Sequence, residues 1–467
     1  MLHRNPGWLY LSVALRAALS SSAHHGAGVV GRRASTAAVP PIGRATGTGR
    51  TVDFRRLGRG FPLRQMGDSV GSEIDDQAVS TATELRGGGA SKGIPAILFD
   101  IDGVFKHGGA WDPQGFSALC RVMSAGIPFA FMTNGGGGRT EVQYATEMSE
   151  KLAKVAAGFG DRAAAGPELS IPAQQMVLSY SPWAVDLEHL KGHPILIVGD
   201  PADKVMAAAR AMGLGAGCVH ISDLDARHPL MNPFGKHENT QFDSDALEAE
   251  KWGAEAGEDF QAVCVFTDPS VDFFGALQLC TDVLLSSRPG QVEAEDGRDI
   301  PVYFSNPDLL WKTQYPWARF GQGAFRLSLE AVFSARLKSM GASDHAVAGR
   351  LSTWVQYGKP EVAQYHFAVR SLEEQLKPGE RIAHVYMVGD NPQSDMQGPK
   401  NMNALQASLQ GKPAAPRGGS TEAEGPEWAG VLVRTGVYAD GDDANGAMAV
   451  VDGVAEAVDF ILQKHGL

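Results

Sequence analysis

The 467-residue chain is poor in cysteine, in charge and in long apolar runs. Its four cysteines, Cys120, Cys218, Cys264 and Cys280, are scattered and form no C-x-x-C pair. That excludes a disulfide scaffold and a cysteine-rich zinc site, and it suits a reducing compartment. No apolar run reaches the roughly 18 residues of a membrane span, so no transmembrane segment is expected. Charged residues make up only 20% of the chain and the formal net charge is −12. Without a basic surplus there is no broad nucleic-acid-binding surface, and no nucleic-acid partner is expected. Hydrophobic residues, at 43%, are ample for buried cores and exclude global disorder. The length predicts two or three structural units. Glycine is the one abundance, with 56 residues, many of which belong in loops.

Scarcity is also local. Residues 1–67 hold ten arginines, no lysine and one acid, Asp53, a formal charge of +9 that leaves −21 on the other 400 residues. Trp8, Leu11, Leu15 and Leu19 recur at helical spacing, with Arg16 off that stripe. An amphipathic, arginine-rich, acid-poor N-terminus reads as an organelle transit peptide, most often mitochondrial. The bland alternative is a disordered basic tail. Residues 1–85 are therefore expected to be a transit peptide and disordered leader, directing the chain to the mitochondrial matrix, with a plastid as the other destination.

Past the leader, Ile94–Phe99 and Ile127–Met132 are short apolar runs that fit buried strands, with a helix over 113–125 between them and another over about 139–157. Pro194–Val198, Ala262–Phe266, Val302–Phe304, His384–Val388 and Val431–Val433 read as further strands, the last of them closing the strand set. Phe273–Leu285, Phe325–Met340, Ala363–Leu376 and Val450–Gln463 read as helices. The acidic stretch 238–259 reads as a surface loop or exposed helix, and 410–427, rich in Gly, Pro, Ser and Glu, as a flexible insert. Strand–helix alternation predicts an α/β fold with a parallel, Rossmann-like sheet.

Four polar clusters stand out: Asp100-Ile-Asp102-Gly103-Val104, Thr133-Asn134-Gly135, Gly358-Lys359-Pro360 and Gly389-Asp390-Asn-Pro-Gln-Ser-Asp395. Three directly follow predicted strands, where parallel α/β sheets place their sites; Lys359 precedes a helix instead. Converging acids repel one another unless a cation compensates. Carboxylates are hard oxygen ligands suited to Mg²⁺, and the glycines expose backbone N–H groups to an anion. Together these are the parts for phosphoryl transfer through a carboxylate nucleophile.

The four clusters, in this order, resemble the signature of the haloacid dehalogenase superfamily. The 226 residues between Thr133 and Lys359 resemble the C2-capped, class IIA members, whose cap is inserted at that point. Phe99–Val104, Val177–Pro182, Ser305–Trp311, Arg319–Phe325 and Val388–Asp395 are similar to one branch, the cat eye syndrome critical region protein 5 family, also called haloacid dehalogenase-like hydrolase domain-containing 5. The resemblance implies a Rossmann-like core, 90–171 and 349–467, split by an α/β C2-type cap over 172–348. It implies a Mg²⁺-dependent phosphatase-type hydrolase acting on a small phosphomonoester through an aspartyl phosphate. Asp100 would be the nucleophile and Asp102 the general acid and base. Gly103, Thr133, Asn134, Gly135 and Lys359 would hold the phosphoryl group. Asp100, the Asp102 carbonyl, Asp390 and Asp395 would serve the metal. Some fungal members are joined to CDP-alcohol phosphatidyltransferases, which suggests a glycerophospholipid setting. A homo-oligomer formed through the cap is open.

Two departures mark this chain: Phe105-Lys106-His107 after the first motif, and the glycine run Gly135–Gly138 after the second. Asn306 and Asp308 are tentative substrate contacts from a cap loop, with a plain turn as the equal alternative. Trp311, Trp317 and Phe320 read as cap core, with an aromatic substrate platform as the lesser alternative. Asp200 and Asp268 read as turn residues, His107 as a solvated loop histidine, and the cysteines as packing residues. A receiver-like module is disfavoured by the large insertion, and a dehalogenase by Asp102 with the Asp390/Asp395 pair. A catalytically idle binding or scaffold protein is the remaining alternative.

Overall fold

The computed structural model describes residues 92–108, 110–157, 170–235, 259–287, 299–315, 317–409 and 425–467. The leader, the stretch 238–258 and the insert over 410–424 lie outside the described residues.

Fifteen strands occur among these residues: β1 Lys92–Phe99, β2 Lys106–His107, β3 Ala110–Trp111, β4 Phe129–Thr133, β5 Met176–Leu178, β6 Ile195–Val198, β7 Cys218–His220, β8 Ala262–Val265, β9 Val302–Phe304, β10 Leu310–Trp311, β11 Arg319–Phe320, β12 Val355–Gln356, β13 Glu380–Gly389, β14 Glu427–Val433 and β15 Ala449–Val451. One parallel sheet runs in the order β15-β14-β13-β1-β4-β5, and a second runs β12-β9-β8-β6-β7. Two short antiparallel hairpins, β2–β3 and β10–β11, stand apart from both sheets.

Both sheets are covered on two faces, as parallel sheets generally are, and so their strands read as unbroken apolar runs. Along β1, Ile97 and Phe99 enter one buried cluster and Ala96 and Leu98 another. The first cluster is continuous across both sheets, since Ile97, Phe99 and Phe131 share it with Ile195, Ile197 and Cys264. Trp183, on the segment between β5 and β6, sits at this junction, its ring 4.8 Å from Phe266 and 5.9 Å from Tyr357. The two sheets thus pack through a shared aromatic core.

The helices have local causes. Pro113–Ser124 opens with Asp112 accepting a 2.9 Å bond from the Gln114 N–H and with proline at its first position. Gly126, at φ +67°, turns the chain out of that helix.

Several sequence expectations shift. β5 lies beyond the expected boundary at 172 and yet belongs to the first sheet, beside β4. β12 belongs to the second sheet, beyond the expected boundary at 348. Val431–Val433 is not the last strand: Val450 lies in β15, paired with Leu432, and the closing helix begins at Val454. Glu427 begins β14 and is not part of a loop. β5, β12 and β15 are very short strands decided by a neighbour in the sheet and not by their own apolar pattern.

Candidate active site

Parallel strands deliver their following residues to one edge. Phe99 at the end of β1 is level with Val388 of β13 and Phe131 of β4, so Asp100, Thr133 and Asp390 emerge side by side. The second sheet points its own carboxyl edge at the same place. Asp268 follows β8, Asn306 and Asp308 follow β9, and Lys359 follows β12. All seven line a single cavity of about 270 Å³.

At its floor, Lys359 Nζ lies 2.7 Å from Asp100 Oδ1 and 2.7 Å from Asp395 Oδ1. All three side chains are buried. Asp390, also buried, accepts a 2.7 Å bond at Oδ2 from the Val437 N–H, and Asp395 Oδ2 accepts a 3.0 Å bond from the Asn391 N–H. Oxygens of Asp100, Asp390 and Asp395 fall within 4.8 Å of one another. One ammonium against three carboxylates leaves a buried surplus of negative charge, which is costly without a further cation. Three converging hard oxygens suit a small divalent ion. The Asp102 side chain stands outside this trio.

Glycines make the crowding feasible. A Cβ on Gly103 or Gly436 would overlap the Asp390 carboxylate, and one on Gly389 would overlap Asp395. Gly103 also has φ +89°, a left-handed conformation that favours glycine. Asp395 itself is carried on a short π-type turn, Pro392–Met396.

Charge and burial set the protonation behaviour. Burial pushes the Asp100 carboxyl well above the carboxylate range, against the pull of Lys359. Burial, aided by the charge of Asp395, takes Asp390 up to about 7. For Lys359 burial alone would lower the pKa, but Asp100 and Asp395 outweigh it and hold the ammonium above its ordinary value. Asp102 keeps 38% of its side-chain surface open to the cleft and lies 3.6 Å from Lys106 Nζ. The surrounding walls still remove enough solvent to raise its pKa.

Asn134 ties the two sheets together. Its Oδ1 accepts a 2.7 Å bond from the Lys359 N–H, and its Nδ2 donates to the Lys359 carbonyl at 3.0 Å and to Asp308 Oδ2 at 3.1 Å. Asp308 is braced in turn, its N–H donating at 2.7 Å to Asn306 Oδ1. Burial pushes Asp308 up to about 6. The Gly135 N–H, expected to face an anion, donates at 3.0 Å to Thr133 Oγ1.

Other lining residues were not foreseen. Arg139 closes the glycine run, placed by the left-handed Gly137 and Gly138. Its guanidinium lies over the Tyr144 ring at 5.1 Å and its Nε is 3.4 Å from Glu147. Lys106, Tyr144, Ser394, Trp311 and Lys312 also line the cavity. The signal for Arg139 was the glycine run itself, which only a specific turn requires. Asp268 lines the cavity and is more than a turn residue, whereas Asp200 keeps a turn role, its Oδ2 accepting a 2.7 Å bond from the Val271 N–H. His107 is not among the lining residues; its Nε2 is 3.9 Å from Asp112. Trp311, Trp317 and Phe320 are exposed, not cap core, because β10–β11 stands clear of the second sheet. The four cysteines are unpaired, with Cys264 and Cys280 buried.

Residues 97–215 match a family model described as haloacid dehalogenase-like hydrolase, and residues 356–407 match a second, described as HAD-hydrolase-like. The two matches fall on the residues that carry Asp100 and Thr133 and on those that carry Lys359, Asp390 and Asp395. The chain is 29% identical to a mitochondrial hydrolase of Saccharomyces cerevisiae, over 79% of this chain and 96% of that protein. It is 28% identical to a cardiolipin synthase (CMP-forming)/mitochondrial hydrolase fusion protein of Schizosaccharomyces pombe, over 79% of this chain. The chain spans about half, 53%, of the length of that fusion protein. Among solved structures it is similar to a p-nitrophenyl phosphatase from Archaeoglobus fulgidus, with TM-score 0.44, 15% identity, and coverage of 80% of this chain and 100% of that one. No helix among the described residues is long and apolar enough to cross a membrane.

Proposed function

We propose that the protein is a Mg²⁺-dependent phosphatase that hydrolyses a small phosphomonoester through an aspartyl phosphate on Asp100. The observation that carries this reading is the shared ammonium: Lys359 Nζ at 2.7 Å from both Asp100 and Asp395, with Asp390 in the same carboxylate group, on the floor of a cavity.

The free carboxylate oxygen of Asp100 attacks phosphorus while the bond from phosphorus to the leaving oxygen breaks. Asp102, whose raised pKa favours holding a proton, delivers it to that oxygen. Once the alcohol has left, Asp102 takes a proton from water, which attacks the aspartyl phosphate and restores the Asp100 carboxylate. Thr133 and the N–H groups of Asn134 and Gly135 hold phosphoryl oxygens, Gly135 exchanging its bond to Thr133 Oγ1 for one to substrate. Gly103 lets Asp390 approach. Lys359 offsets the charge gathered in the transition state. Asp100, the Asp102 carbonyl, Asp390 and Asp395 would hold Mg²⁺ directly or orient it, and the ion would supply further positive charge to the phosphoryl oxygens.

The inserted residues, from after β5 to β12, act as a cap that closes the cavity and contacts the leaving group through Asn306 and Asp308. The names of the two yeast relatives and the arginine-rich leader support a mitochondrial location. The fission yeast fusion supports a glycerophospholipid setting. The test is a phosphatase screen of the purified chain with and without Mg²⁺, beside Asp100→Asn. Hydrolysis that persists in Asp100→Asn would sink the mechanism.

A further inference from the structure

We infer that the β10–β11 hairpin is a membrane-interface contact that seats on an anionic lipid surface. Residues 309–320 read Leu-Leu-Trp-Lys-Thr-Gln-Tyr-Pro-Trp-Ala-Arg-Phe: rich in large apolar side chains, two cations and no acid, in a chain of net charge −12. The apolar side chains are only partly used for packing. Trp311 is 48% exposed, Tyr315 55%, Trp317 73% and Phe320 71%, with Leu309 and Leu310 each at 44%. Scattered exposed apolar residues need no explanation, but a contiguous group of six marks a contact surface.

The group is also held in place. Leu310 pairs with Phe320 and Trp311 with Arg319 across the hairpin. The Trp311 indole N–H donates at 3.1 Å to the Phe320 carbonyl, and the Arg319 guanidinium lies 5.3 Å from the Tyr315 ring. The hairpin therefore holds Trp311 and Tyr315 by its own contacts, while Trp317 and Phe320 stay largely open to water. Tryptophan and tyrosine beside lysine and arginine suit the zone where lipid headgroups meet acyl chains: the rings enter and the cations stay with the headgroups. Twelve residues are about half of what each side of a stable protein interface supplies, which favours a lipid surface over a second chain. The stretch holds no acid, and the Arg319 guanidinium complements anionic headgroups.

Trp311 and Lys312 also line the cavity, and Gln314 at the hairpin tip packs against Gly108 of the β2–β3 hairpin. A membrane under the hairpin therefore lies at the cavity mouth. This contact stands independently of the phosphatase reading.

The test uses the full chain with vesicles of phosphatidylcholine and phosphatidylglycerol whose upper acyl carbons are brominated. Bromine should quench part of the tryptophan emission, and that quenched part should shrink in Trp317→Phe. Partition should fall about tenfold in Trp317→Ala/Phe320→Ala and about fivefold in Arg319→Gln, with hydrolysis of a soluble phosphomonoester unchanged. Equal quenching in wild type and Trp317→Phe would overturn the inference, because the basic N-terminus could then hold the chain to vesicles while the hairpin stays in water. A change of oligomeric state in the double variant without a change in quenching would overturn it too. Asp100→Asn should keep wild-type quenching, so a failed phosphatase reading leaves this measurement intact.

Discussion

The carboxyl edges of the two sheets face each other across one cavity, and they are built on opposite terms. The edge of the first sheet carries Asp100, Thr133, Asp390 and Asp395, all buried and mostly fixed by backbone N–H groups or by Lys359. The edge of the second carries Asp268, Asn306 and Asp308 and leads into the exposed Leu310 and Trp311. Buried charge is retained at the first edge despite its desolvation cost, which is what a reacting centre requires. The second edge has softer, part-open side chains, which is what selection of a substrate requires. Lys359 breaks the division. It is carried by the second sheet through β12 and spends its charge on the first.

The largest expected effect tests the chemical edge. Asp100→Asn should lower Mg²⁺-dependent hydrolysis of p-nitrophenyl phosphate by about a thousandfold or more, with the far-ultraviolet circular dichroism unchanged. Retained turnover would move the chemistry off the first sheet. Lys359→Ala comes next. It leaves buried carboxylates uncompensated, so it should cost about 3 kcal/mol of stability as well as about a hundredfold in turnover. Thermal melting should then show a larger Mg²⁺-induced rise in Lys359→Ala than in wild type. An equal rise in both would mean that ion and ammonium do not share the same charge surplus.

Substitutions on the cavity wall, at Arg139 of the first sheet and at Asp308 of the second, should act more gently. Arg139→Ala should raise KM about tenfold with kcat nearly unchanged, measured on anionic phosphomonoesters at low salt. A fall in kcat alone would place Arg139 with the chemistry instead. Asp308 has the smallest effect and a defined sign. Its folded pKa, about 6, exceeds the ordinary 3.8, so the folded chain binds the proton more tightly than the unfolded chain. Its ionised form therefore opposes folding above pH 6, and that penalty fades as the pH falls toward 4. Asp308→Asn, which can still accept from Asn134, should melt about 2 °C above wild type at pH 7 and match it near pH 4. A constant difference across that range would show that titration of Asp308 is not the cause.

The chemical edge was largely legible in the sequence, because Asp100 and Asp390 follow long strands that end in unbroken apolar runs, Ala96–Phe99 and Val385–Val388, where strand and turn are both unambiguous. The selecting edge was less so. Met176–Leu178 and Val355–Gln356 are too short to show a period, and only their pairing assigns them to a sheet. Trp311 and Phe320 read as core because aromatic residues usually are; that β10–β11 would pair only with each other, outside the second sheet, has no local signature. Asp268 looked like Asp200, an acid after a strand, and only the approach of the two sheets separates a lining residue from a turn residue. Arg139 is far more informative in space than in sequence, since its cavity position depends on two left-handed glycines and the ring of Tyr144.

Asn134 grips Lys359 by both its N–H and its carbonyl while also holding Asp308. One amide therefore serves as the alignment pin between a loop of one sheet and loops of the other. Damage introduced on either side of the cavity should converge on a common defect, a misaimed ammonium, and distant substitutions that disturb this pin should resemble one another more than they resemble their own neighbours.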